Sequence, residues 1–362
     1  MNTKQLGSVL VDHQIEQLVA EKALTLDSSL IQPASVDLAV GAKIWQASSL
    51  PSLARGFNAA HFIEHYCSNP HDLTKGSYVL FPGISYFCEI KADFKLPKKI
   101  SAYTNPKSSS GRIDLLCLLV ANGAHQYNVV PHGYTGKTYL LIIPQSFHIV
   151  LHEDITLVQM RFFEGERNFL DNKTLEQLHK EEPLVLGQEN TRFESEGLVL
   201  HLDLECSPSN LVGQRYGKPI DLALRGQDSS RYFIEKALDH NQRLTLEPDE
   251  FLLAVTQEGL CIPPQYCGEM VAWTERLGPI QSHFAGFFDP GFGYGVPGGS
   301  RGVCEIRNIS KSAIQLAHDQ EICILRFEAL ADTPRVFYGR TMAKEQSNYQ
   351  GQNSVKVAKY FL

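Results

Sequence analysis

Residues 147–162 read FHIVLHEDITLVQMRF, and residues 312–327 read SAIQLAHDQEICILRF. A constant offset of 165 aligns the two stretches without a gap, and the identical pairs are Ile149 with Ile314, Leu151 with Leu316, Asp154 with Asp319, Arg161 with Arg326 and Phe162 with Phe327. Self-similarity at a fixed distance is the mark of a duplicated fold. We therefore predict two tandem domains of similar fold, at residues 1–180 and 190–362. The alternative is a chance similarity between two β-rich segments.

The rest of the chain also consists largely of short apolar runs. Two of the runs are YVLFPGISYFCEI at 78–90 and EFLLAVTQEGLCIP at 250–263. Glycine, proline, asparagine and aspartate separate the runs. Many short strands with frequent turn signals favour an all-β sandwich or barrel. We therefore predict a mainly β protein with a few short helices.

Three segments differ from this texture. The chain opens with a predicted helix, which Asp12 caps and in which Ile15 and Leu18 share the apolar face. A second helix is predicted over residues 54–67. Residues 164–196 are polar, charged and weakly periodic, and this pattern predicts a linker between the two domains.

The composition limits the classes of function. The 362 residues suffice for about two to three domains of ordinary size. Lys and Arg number 33 and Asp and Glu number 40, so the net charge of −7 gives no general attraction to nucleic acid or to an anionic membrane. No apolar run predicts a membrane span or a secretory signal. The eight cysteines contain no C-x-x-C pair, which is typical of reduced thiols, and we expect a cytoplasmic protein.

The first candidate site is the segment NPKSSSGR at residues 105–112. It places three hydroxyls between two cations on a turn bounded by proline and glycine. Hydroxyls and backbone N–H groups donate hydrogen bonds to phosphate oxygens, and the cations supply the opposite charge. The segment therefore suits a phosphate cradle. Its composition is equally that of a solvated polar turn.

The second candidate site is the segment FFDPGFG at residues 287–293. Two aromatic residues precede a tight Asp-Pro-Gly turn. The aromatic rings suit the wall of a base pocket, and Asp289 is placed to hold a sugar hydroxyl. A hairpin with an apolar flank is the alternative.

The third candidate is Glu305, in the segment GVCEIRN at residues 302–308. A strand here places Val303, Glu305 and Arg307 on one face, because side chains alternate along a strand. A carboxylate inside a strand is either functional or a solvated charge paired with Arg307. The sequence leaves both interpretations open.

The polar C-terminal segment is the fourth candidate. It contains YGRTMAK at 338–344 and NYQGQ at 348–352, and its glycines loosen it. It is either a lid over a bound ligand or a frayed tail. Elsewhere, HFIEH at 61–65 matches the H-x-x-E-H zinc pattern, but its spacing suggests no third ligand. We therefore predict no metal site.

Five segments together resemble the dCTP deaminase family, which has the trimeric dUTPase-like β-fold. These segments are IQPASVDL at 31–38, KSSSGR at 107–112, AGFFDPGF at 285–292, CEIRN at 304–308 and YQGQ at 349–352. Lys107 stands where the family has an Arg, and Asn348 where it has a Lys. The resemblance implies two tandem dUTPase-like domains, each a distorted β-barrel or jelly roll.

The resemblance also implies a reaction, the hydrolytic deamination of dCTP to dUTP and ammonia without zinc. It implies that Glu305 activates a water for attack on C4 of cytosine, that Arg112 keeps Glu305 ionised and that Ser108 holds the water. The implied substrate-binding residues are Lys107, Ser109, Ala285, Phe288, Asp289, Phe292, Lys344, Tyr349 and Gln352. We expect Mg²⁺ to arrive on the triphosphate. We expect no zinc, because the H-x-E and P-C-x-x-C pattern of zinc deaminases is absent.

The two copies depart from the family pattern at complementary places. In the first copy, PHGY at 131–134 lacks the sugar-binding aspartate, and Leu141 falls near the position of the glutamate. In the second copy, AWTER at 272–276 lacks the paired serines. The first copy retains the phosphate half of a site and the second retains the base half. We therefore expect one composite site built from both domains.

Two other functions stay open. One is a dUTPase, or a bifunctional enzyme that continues to dUMP. The other is a non-catalytic nucleotide-binding regulator. We expect a homo-oligomer with a trimer favoured, dCTP as the substrate and dTTP as a candidate inhibitor, and neither a nucleic acid nor a membrane as a partner.

Overall fold

The structure is a computed structural model of the chain. It describes residues 8–54, 56–187, 191–214, 217–273, 276–282, 286–340 and 347–362. Within these residues the α-helices are α1 (Asp12–Ala20), α2 (Ala59–Tyr66), α3 (Ser108–Gly111) and α4 (Asn172–Glu181). Short 3-10 helices lie at Ser28–Leu30, Leu73–Lys75, Ser229–Arg231 and Lys359–Phe361.

Strands account for most of the regular structure, as predicted. The strands up to residue 164 are β1 (Leu24–Thr25), β2 (Val36–Ala47), β3 (His71–Asp72), β4 (Tyr78–Leu80), β5 (Ser85–Lys95), β6 (Ile100–Pro106), β7 (Leu115–Ala121), β8 (Val129–Val130), β9 (Thr135–Pro144), β10 (Ile149–Leu151) and β11 (Thr156–Glu164). The strands after residue 164 are β12 (Val185–Leu186), β13 (Phe193–Glu194), β14 (Gly197–Asp203), β15 (Leu211–Gly213), β16 (Ile220–Asp221), β17 (Phe233–Glu235), β18 (Arg243–Leu246), β19 (Phe251–Leu260), β20 (Tyr266–Ala272), β21 (Ile280–Ser282), β22 (Phe287–Phe288), β23 (Ser300–Asn308), β24 (Ile314–Ala317) and β25 (Glu321–Ala329).

The chain forms two compact units that are not two uninterrupted stretches. The described residues of the N-terminal unit are 8–167, 217–227 and 358–362, and those of the C-terminal unit are 168–214 and 228–357. This division differs from the uninterrupted domains 1–180 and 190–362 expected from the sequence. The reason is visible at β16, where Ile220 pairs in parallel with Ile149 of β10. A short segment from the second half of the chain thus completes a sheet of the N-terminal unit.

The N-terminal unit is built around β2. The strand order of its main sheet is β7-β9-β5-β2-β11-β6-β8, and a smaller sheet has the order β16-β10-β4. The first residues of β2 pair with β11, and its later residues, from Val40, pair with β5. One long strand therefore takes part in two halves of the sheet, which is how a distorted barrel or jelly roll closes.

The C-terminal unit repeats this arrangement. Its main strand order is β17-β15-β19-β14-β25-β20-β22, with β23 beside β19 and with β18 and β24 as a separate pair. Four strand pairings occur in both units. The pairings β2–β11, β11–β6, β2–β5 and β5–β9 of the N-terminal unit correspond to β14–β25, β25–β20, β14–β19 and β19–β23 of the C-terminal unit. The same fold therefore occurs twice.

The strand registers establish the repeat residue by residue. Met160 of β11 lies opposite Thr104 of β6, and Leu325 of β25 lies opposite Met270 of β20. Leu325 lies 165 residues after Met160, and Met270 lies 166 residues after Thr104. Because a slip of one residue would turn every side chain to the other face of the sheet, this agreement confirms the predicted duplication. The alternative of a chance similarity is wrong.

Each unit has its own apolar core. In the C-terminal unit Leu200, Leu252, Ile306 and Phe327 belong to one buried cluster. In the N-terminal unit the inward residues of the corresponding strands are also fully buried, Phe162 among them. No helix in the described part of the chain is long and apolar enough to cross a membrane.

The two predicted helices exist with different limits. The first helix has Val11 at its N-cap, and the N–H of Val11 donates to Oε1 of Gln14 at 3.0 Å. Asp12 is therefore the first helical residue and not the cap. The second helix covers Ala59–Tyr66 rather than 54–67, because the Asn58 side chain accepts a hydrogen bond from the N–H of His61 and caps it.

The prediction of a linker over 164–196 is wrong for its central part, which contains α4. The carboxylate of Asp171 accepts a hydrogen bond of 2.7 Å from the N–H of Thr174 and so caps this helix. Of the helix side chains only Leu175 is fully buried. A single buried residue leaves no apolar period in the sequence, and this explains why the helix escaped prediction.

An ion pair between the partly buried His201 of β14 and the buried Glu258 of β19 gives the stability a defined pH dependence. Nδ1 of His201 lies 2.6 Å from Oε1 of the buried Glu258, whose Oε2 accepts from the N–H of His201 at 3.0 Å. This hydrogen bond raises the pKa of His201, with smaller contributions from the charges of Asp319 and Glu321. The pair therefore stabilises the fold fully below about pH 6.5, the unfolded value. The stabilisation is lost as the pH rises through the raised folded pKa.

We expect His201→Gln to lower the free energy of unfolding by about 1.5–3 kcal/mol at pH 6 and by much less at pH 9. Urea unfolding of the variant and the wild type at both pH values measures the difference. An equal loss at both pH values would show that the protonated imidazole contributes nothing.

Candidate active site

The serine-rich turn of the N-terminal unit is fixed rather than solvated. Lys107 follows β6, α3 spans Ser108–Gly111, and Arg112 ends the turn. Ser109 and Arg112 are 4% and 3% exposed. The hydroxyl of Ser110 donates to the carbonyl of Leu157 at 2.9 Å and holds the turn against β11. The alternative of a solvated polar turn is therefore wrong. The bond to Leu157 gives Ser110 a structural role in the turn.

The first cation of this turn has a carboxylate partner that the sequence analysis did not identify. Nζ of Lys107 forms an ion pair with Asp37 of β2 and donates to Oγ1 of Thr156 at 3.3 Å. Asp37 and Lys107 are 70 residues apart, so only the folded sheet reveals their contact. Burial, and after it the charge of Lys107, lowers the pKa of Lys359 to about 8.

The Asp-Pro-Gly turn of the C-terminal unit is a tight turn with an aromatic wall. The N–H of Phe292 donates to the carbonyl of Asp289 at 3.1 Å, and Gly291 has a φ of +96°, which favours glycine. The rings of Phe288 and Phe292 lie 4.8 Å apart and are buried. Asp289 is also almost fully buried. The turn therefore carries a buried carboxylate and two buried aromatic rings.

Glu305 lies in the middle of β23, opposite Leu253 of β19. It is 3% exposed, so the alternative of a solvated charge is wrong. The neighbouring cation on the same strand, Arg307, has its guanidinium 3.5 Å from the carboxylate of Asp249. Burying a carboxylate costs free energy unless a partner compensates its charge. Buried ionisable groups therefore concentrate at functional sites.

The C-terminal segment at 347–352 is ordered against the Asp-Pro-Gly turn. Oε1 of Gln350 accepts from the N–H of Gly293 at 2.9 Å, and its Nε2 donates to the carbonyl of Gly291 at 3.2 Å. Nε2 of Gln352 donates to a backbone carbonyl of β23 at 2.6 Å. The alternative of a frayed tail is therefore wrong for these residues. They cover the turn that carries Asp289.

The remaining predicted residues fall into two groups. Tyr349 is buried in the apolar core of the C-terminal unit, and its N–H donates to the hydroxyl of Tyr338 at 3.1 Å. Ala285 and Lys344 lie outside the described residues.

On α2, the rings of His61 and His65 stack 4.1 Å apart. No three potential metal ligands converge anywhere in the part of the chain that the structure describes.

The strand registers identify the counterpart of Glu305 in the first copy. Leu253 lies opposite Glu305 between β19 and β23, and Phe87 lies opposite Leu141 between β5 and β9. The register of β19 with β23 shifts between Val255 and Gly259, and the register of β5 with β9 shifts between Glu89 and Asp93. The two shifts are 166 residues apart, so they occupy equivalent positions in the two copies. Leu141 is therefore the structural equivalent of Glu305.

The surroundings of Leu141 are apolar. Leu141 belongs to a buried cluster with Phe87 and with Phe62 from α2. The rings of Phe62 and Phe87 lie 5.4 Å apart. Apolar side chains therefore fill the position in the first copy where the second copy has its buried carboxylate.

The Asp-Pro-Gly turn has a counterpart of the same geometry. The N–H of Tyr134 donates to the carbonyl of Pro131 at 3.2 Å, just as Phe292 donates to Asp289. The carbonyls of Tyr134 and Phe292 then both accept a hydrogen bond of 2.8 Å, from Leu96 and Ile262 respectively. Pro131 is therefore the equivalent of Asp289, and the first copy has no carboxylate at that place.

The serine turn also has a counterpart, which is modified in the second copy. At the offset of 166, Trp273 corresponds to Lys107 and Arg276 to Ser110. Thr274 and Glu275, which correspond to Ser108 and Ser109, lie outside the described residues. The guanidinium of Arg276 stacks 4.1 Å from the ring of Trp273 and pairs with Glu194 at 2.5 Å. In the second copy, Arg276 of this turn therefore forms a surface ion pair with Glu194.

Comparison with known proteins agrees with the two-part structure. The family model for the 2'-deoxycytidine 5'-triphosphate deaminase N-terminal domain matches residues 6–166, and the model for the C-terminal domain of the same enzyme matches residues 171–361. The chain belongs to the dCTP deaminase family. This confirms the resemblance inferred from the sequence motifs.

Solved and curated relatives support the assignment. The crystal structure of 2'-deoxycytidine 5'-triphosphate deaminase from Agrobacterium tumefaciens covers 94% of this chain and 100% of its own, with 31% identity and a TM-score of 0.86. A protein of Methanobrevibacter smithii named "dCTP deaminase, dUMP-forming" is 25% identical over 51% of this chain and 90% of its own length. A protein of Rhodococcus erythropolis with the same name is 32% identical over 40% of this chain and 71% of its own length.

Proposed function

We propose that this dCTP deaminase family member hydrolyses dCTP to dUTP and ammonia. The observation that carries the proposal is Glu305, a carboxylate buried in a strand whose duplicate has Leu141 at the same position. Water adds to C4 of the cytosine ring, and the amino group leaves as ammonia. One water is consumed for each dCTP, and no oxidant or reductant is required.

Glu305 is the proposed general base. It accepts a proton from the water as the oxygen attacks C4, and it returns the proton to N3 or to the departing amine. A carboxylate can carry out both transfers from one position, because it becomes a donor once it is protonated. The proposed mechanism uses no zinc.

Two residues of the serine turn are proposed to assist this step. The guanidinium of Arg112 keeps Glu305 ionised, since a nearby cation favours the charged form of a carboxyl group. Ser108 donates a hydrogen bond that holds the water or the tetrahedral centre. Arg112 and Ser108 belong to the N-terminal unit and Glu305 to the C-terminal unit. The proposed reaction therefore requires residues from both units.

The other residues are proposed to bind the substrate. Asp289 accepts a hydrogen bond from the 3'-hydroxyl, Phe288 or Phe292 excludes a ribose hydroxyl, and the backbone at Ala285 contacts the cytosine edge. The proposed triphosphate ligands are Lys107, Ser109, Lys344, Tyr349 and Gln352, with Mg²⁺ carried by the nucleotide. The contact of Gln352 with β23 and of Gln350 with the turn at 289–293 supports a lid over this part of the site.

The names of the curated relatives favour a second product. Both quoted relatives are named as dUMP-forming, which means that the triphosphate is also hydrolysed. Incubation with dCTP and Mg²⁺, followed by chromatographic separation of dCTP, dUTP and dUMP, tests both possibilities. Accumulation of dUTP supports the deaminase alone, and dUMP with pyrophosphate supports the bifunctional enzyme. Saturable nucleotide binding without either product would contradict the proposal and favour a regulator.

Asp289 offers a test of substrate orientation. We expect Asp289→Ala to lower kcat/KM for dCTP by about 10–100-fold, because a hydrogen bond to a charged group is lost. The same variant should act on dCTP and on its 3'-deoxy analogue equally, whereas the wild type should prefer dCTP. Pro131→Ala, at the equivalent turn of the first copy, is the matched control and should keep the preference. A variant that still prefers dCTP would show that Asp289 does not bind the 3'-hydroxyl.

The proposal also covers the setting of the enzyme. We propose a homo-oligomer, with a trimer favoured, and inhibition by dTTP through the same nucleotide site. The eight cysteines are all free thiols, and burial raises the pKa of several of them. Free thiols are typical of a reducing compartment, and we propose the cytoplasm as the location.

A further inference from the structure

One row of side chains across three strands is polar in the first copy and apolar in the second. Residues directly opposite one another on neighbouring strands share a face of the sheet. In the N-terminal unit such a row across β2, β11 and β6 contains Asp37, Gln159 and Asn105. At the same register in the C-terminal unit, the row across β14, β25 and β20 contains Val199, Ile324 and Val271.

The polar row is buried. Asp37, Gln159 and Asn105 are each less than a tenth exposed, at 8%, 8% and 6%. Burial of a polar side chain costs free energy unless its partners compensate. The second copy accepts apolar residues at the equivalent positions of the same fold. The fold alone therefore does not require the polar residues of the first copy.

The next residue along each row shows the same contrast. Lys107 and Trp273 are equivalent, and each lies two residues beyond the row on its own strand. Lys107 forms an ion pair with Asp37. Trp273 instead packs in a buried apolar cluster with Val199, the equivalent of Asp37. The cation and its carboxylate partner are present together in the copy that has the paired serines, and absent together from the copy that lacks them.

The ion pair restricts a long side chain. An ammonium group has three N–H donors. Nζ of Lys107 donates to the carboxylate of Asp37 and, at 3.3 Å, to Oγ1 of Thr156. The side chain of Lys107 is 20% exposed. Lys107 is therefore held at the start of the serine turn, which reduces the entropy that its binding to a ligand would cost.

We infer that Asp37 is a positioning residue, which holds the ammonium group of Lys107 for the polyphosphate of the substrate. The inference rests on the proposed function, in which Lys107 and Ser109 bind the triphosphate. Two N–H groups of Lys107 stay with Asp37 and Thr156, and the third donates to a phosphate oxygen. Asp37 itself makes no contact with the phosphates, because like charges repel each other.

Charge and position predict opposite effects when Asp37 is neutralised. Removal of a negative charge beside an anion site would by itself tighten the binding of a polyphosphate. Loss of the fixed position of Lys107 would weaken binding, because the side chain would then have to be ordered by the ligand. If Asp37 is a positioning residue, the second effect prevails. We therefore expect Asp37→Asn to weaken binding by about 3–10-fold.

Isothermal titration calorimetry with inorganic tripolyphosphate tests the inference in a double-mutant cycle. We expect Lys107→Met to weaken binding by about 10-fold or more, and Asp37→Asn to have a much smaller effect in the Lys107→Met background than in the wild type. Burial and the charge of Lys107 lower the pKa of Lys359, whereas Asp37 raises it. An effect of Asp37 through Lys359 does not depend on the position of Lys107, so it is common to both backgrounds.

Two further variants separate the role of Asp37 from general effects. Asp93→Asn removes an exposed carboxylate of β5 in the same unit, and this matched control should bind tripolyphosphate as the wild type does. Asp37→Val/Gln159→Ile copies the apolar residues of the second copy but keeps Lys107, and it should bind as weakly as Asp37→Asn. Unchanged or tighter binding by Asp37→Asn, or an equal weakening in both backgrounds, would overturn the inference.

The reaction with dCTP supplies a second readout. Asp37→Asn should raise KM for dCTP and leave kcat close to that of the wild type, because the residue acts on phosphate binding and not on C4 of the base. Coupling between Asp37 and Lys107 in a protein that binds tripolyphosphate but releases no ammonia would support the inference and contradict the proposed reaction. Release of ammonia without this coupling would overturn the inference alone. A wild-type protein that binds no tripolyphosphate would also overturn it.

Discussion

Glu305→Gln is expected to abolish the release of ammonia from dCTP, with a loss in kcat of about 10³-fold or more. Glutamine has nearly the same shape and fits the same place in β23, but its amide cannot accept a proton from water. Binding of dCTP should change little, because the carboxylate acts on the water and not on the phosphates. An enzyme-coupled ammonia assay measures kcat, and calorimetry measures the affinity for dCTP.

The duplicated fold supplies the control for this variant. Leu141 occupies the equivalent position in the N-terminal unit, within an apolar cluster. Leu141→Met preserves the volume of that core and should leave both kcat and stability close to those of the wild type. Ammonia release at the wild-type rate by Glu305→Gln would show that another group activates the water.

Substitution of Arg112 is expected to have the second largest effect. Arg112→Lys keeps the charge but loses the planar set of donors, and we expect kcat to fall by about 10²-fold. Arg112→Gln removes the charge as well. In the proposed mechanism Arg112 favours the ionised form of Glu305, so its removal should keep the proposed base protonated to a higher pH. The acid limb of the pH profile of kcat/KM should therefore move to higher pH in Arg112→Gln and stay in place in Arg112→Lys.

Arg276→Lys serves as a control for Arg112, although Arg276 corresponds to Ser110 in the repeat. Arg276 lies in the corresponding turn of the C-terminal unit, where it pairs with Glu194. This variant should retain the wild-type kcat and pH profile. If both Arg112 variants also keep the wild-type pH profile, Arg112 does not act on the catalytic carboxyl group, and the assignment of this residue is wrong.

The sequence predicted the duplicated β-fold because both copies retain the same strand register. The aligned stretches at 147–162 and 312–327 cover the strands that the structure places at β10–β11 and β24–β25. The sequence did not predict α4, which buries little apolar surface. It also did not predict that β16 joins the first unit, because a strand of two residues has no readable alternation.

The candidate site shows the same division between local and long-range information. Glu305, Asp289 and the serine turn were found because each lies in a short motif with its own chemistry. Asp37 was missed because its partner, Lys107, is 70 residues away in the chain. The sequence already suggested that the segment at 131–134 and Leu141 replace the two carboxylates in the first copy. The turn geometry and the strand registers then identify Pro131 and Leu141 as the equivalent residues.

The interleaving of the two units has a consequence for biosynthesis. A ribosome makes residues 8–167 first, but the N-terminal unit also needs residues 217–227 and 358–362. Its strand β16 is therefore translated after residues 168–214 of the C-terminal unit, and its last 3-10 helix is translated only after the whole of that unit. A gene cut after codon 167 would yield a fragment in which β10 lacks its partner β16, and we expect this fragment to be less stable than the N-terminal unit of the full chain.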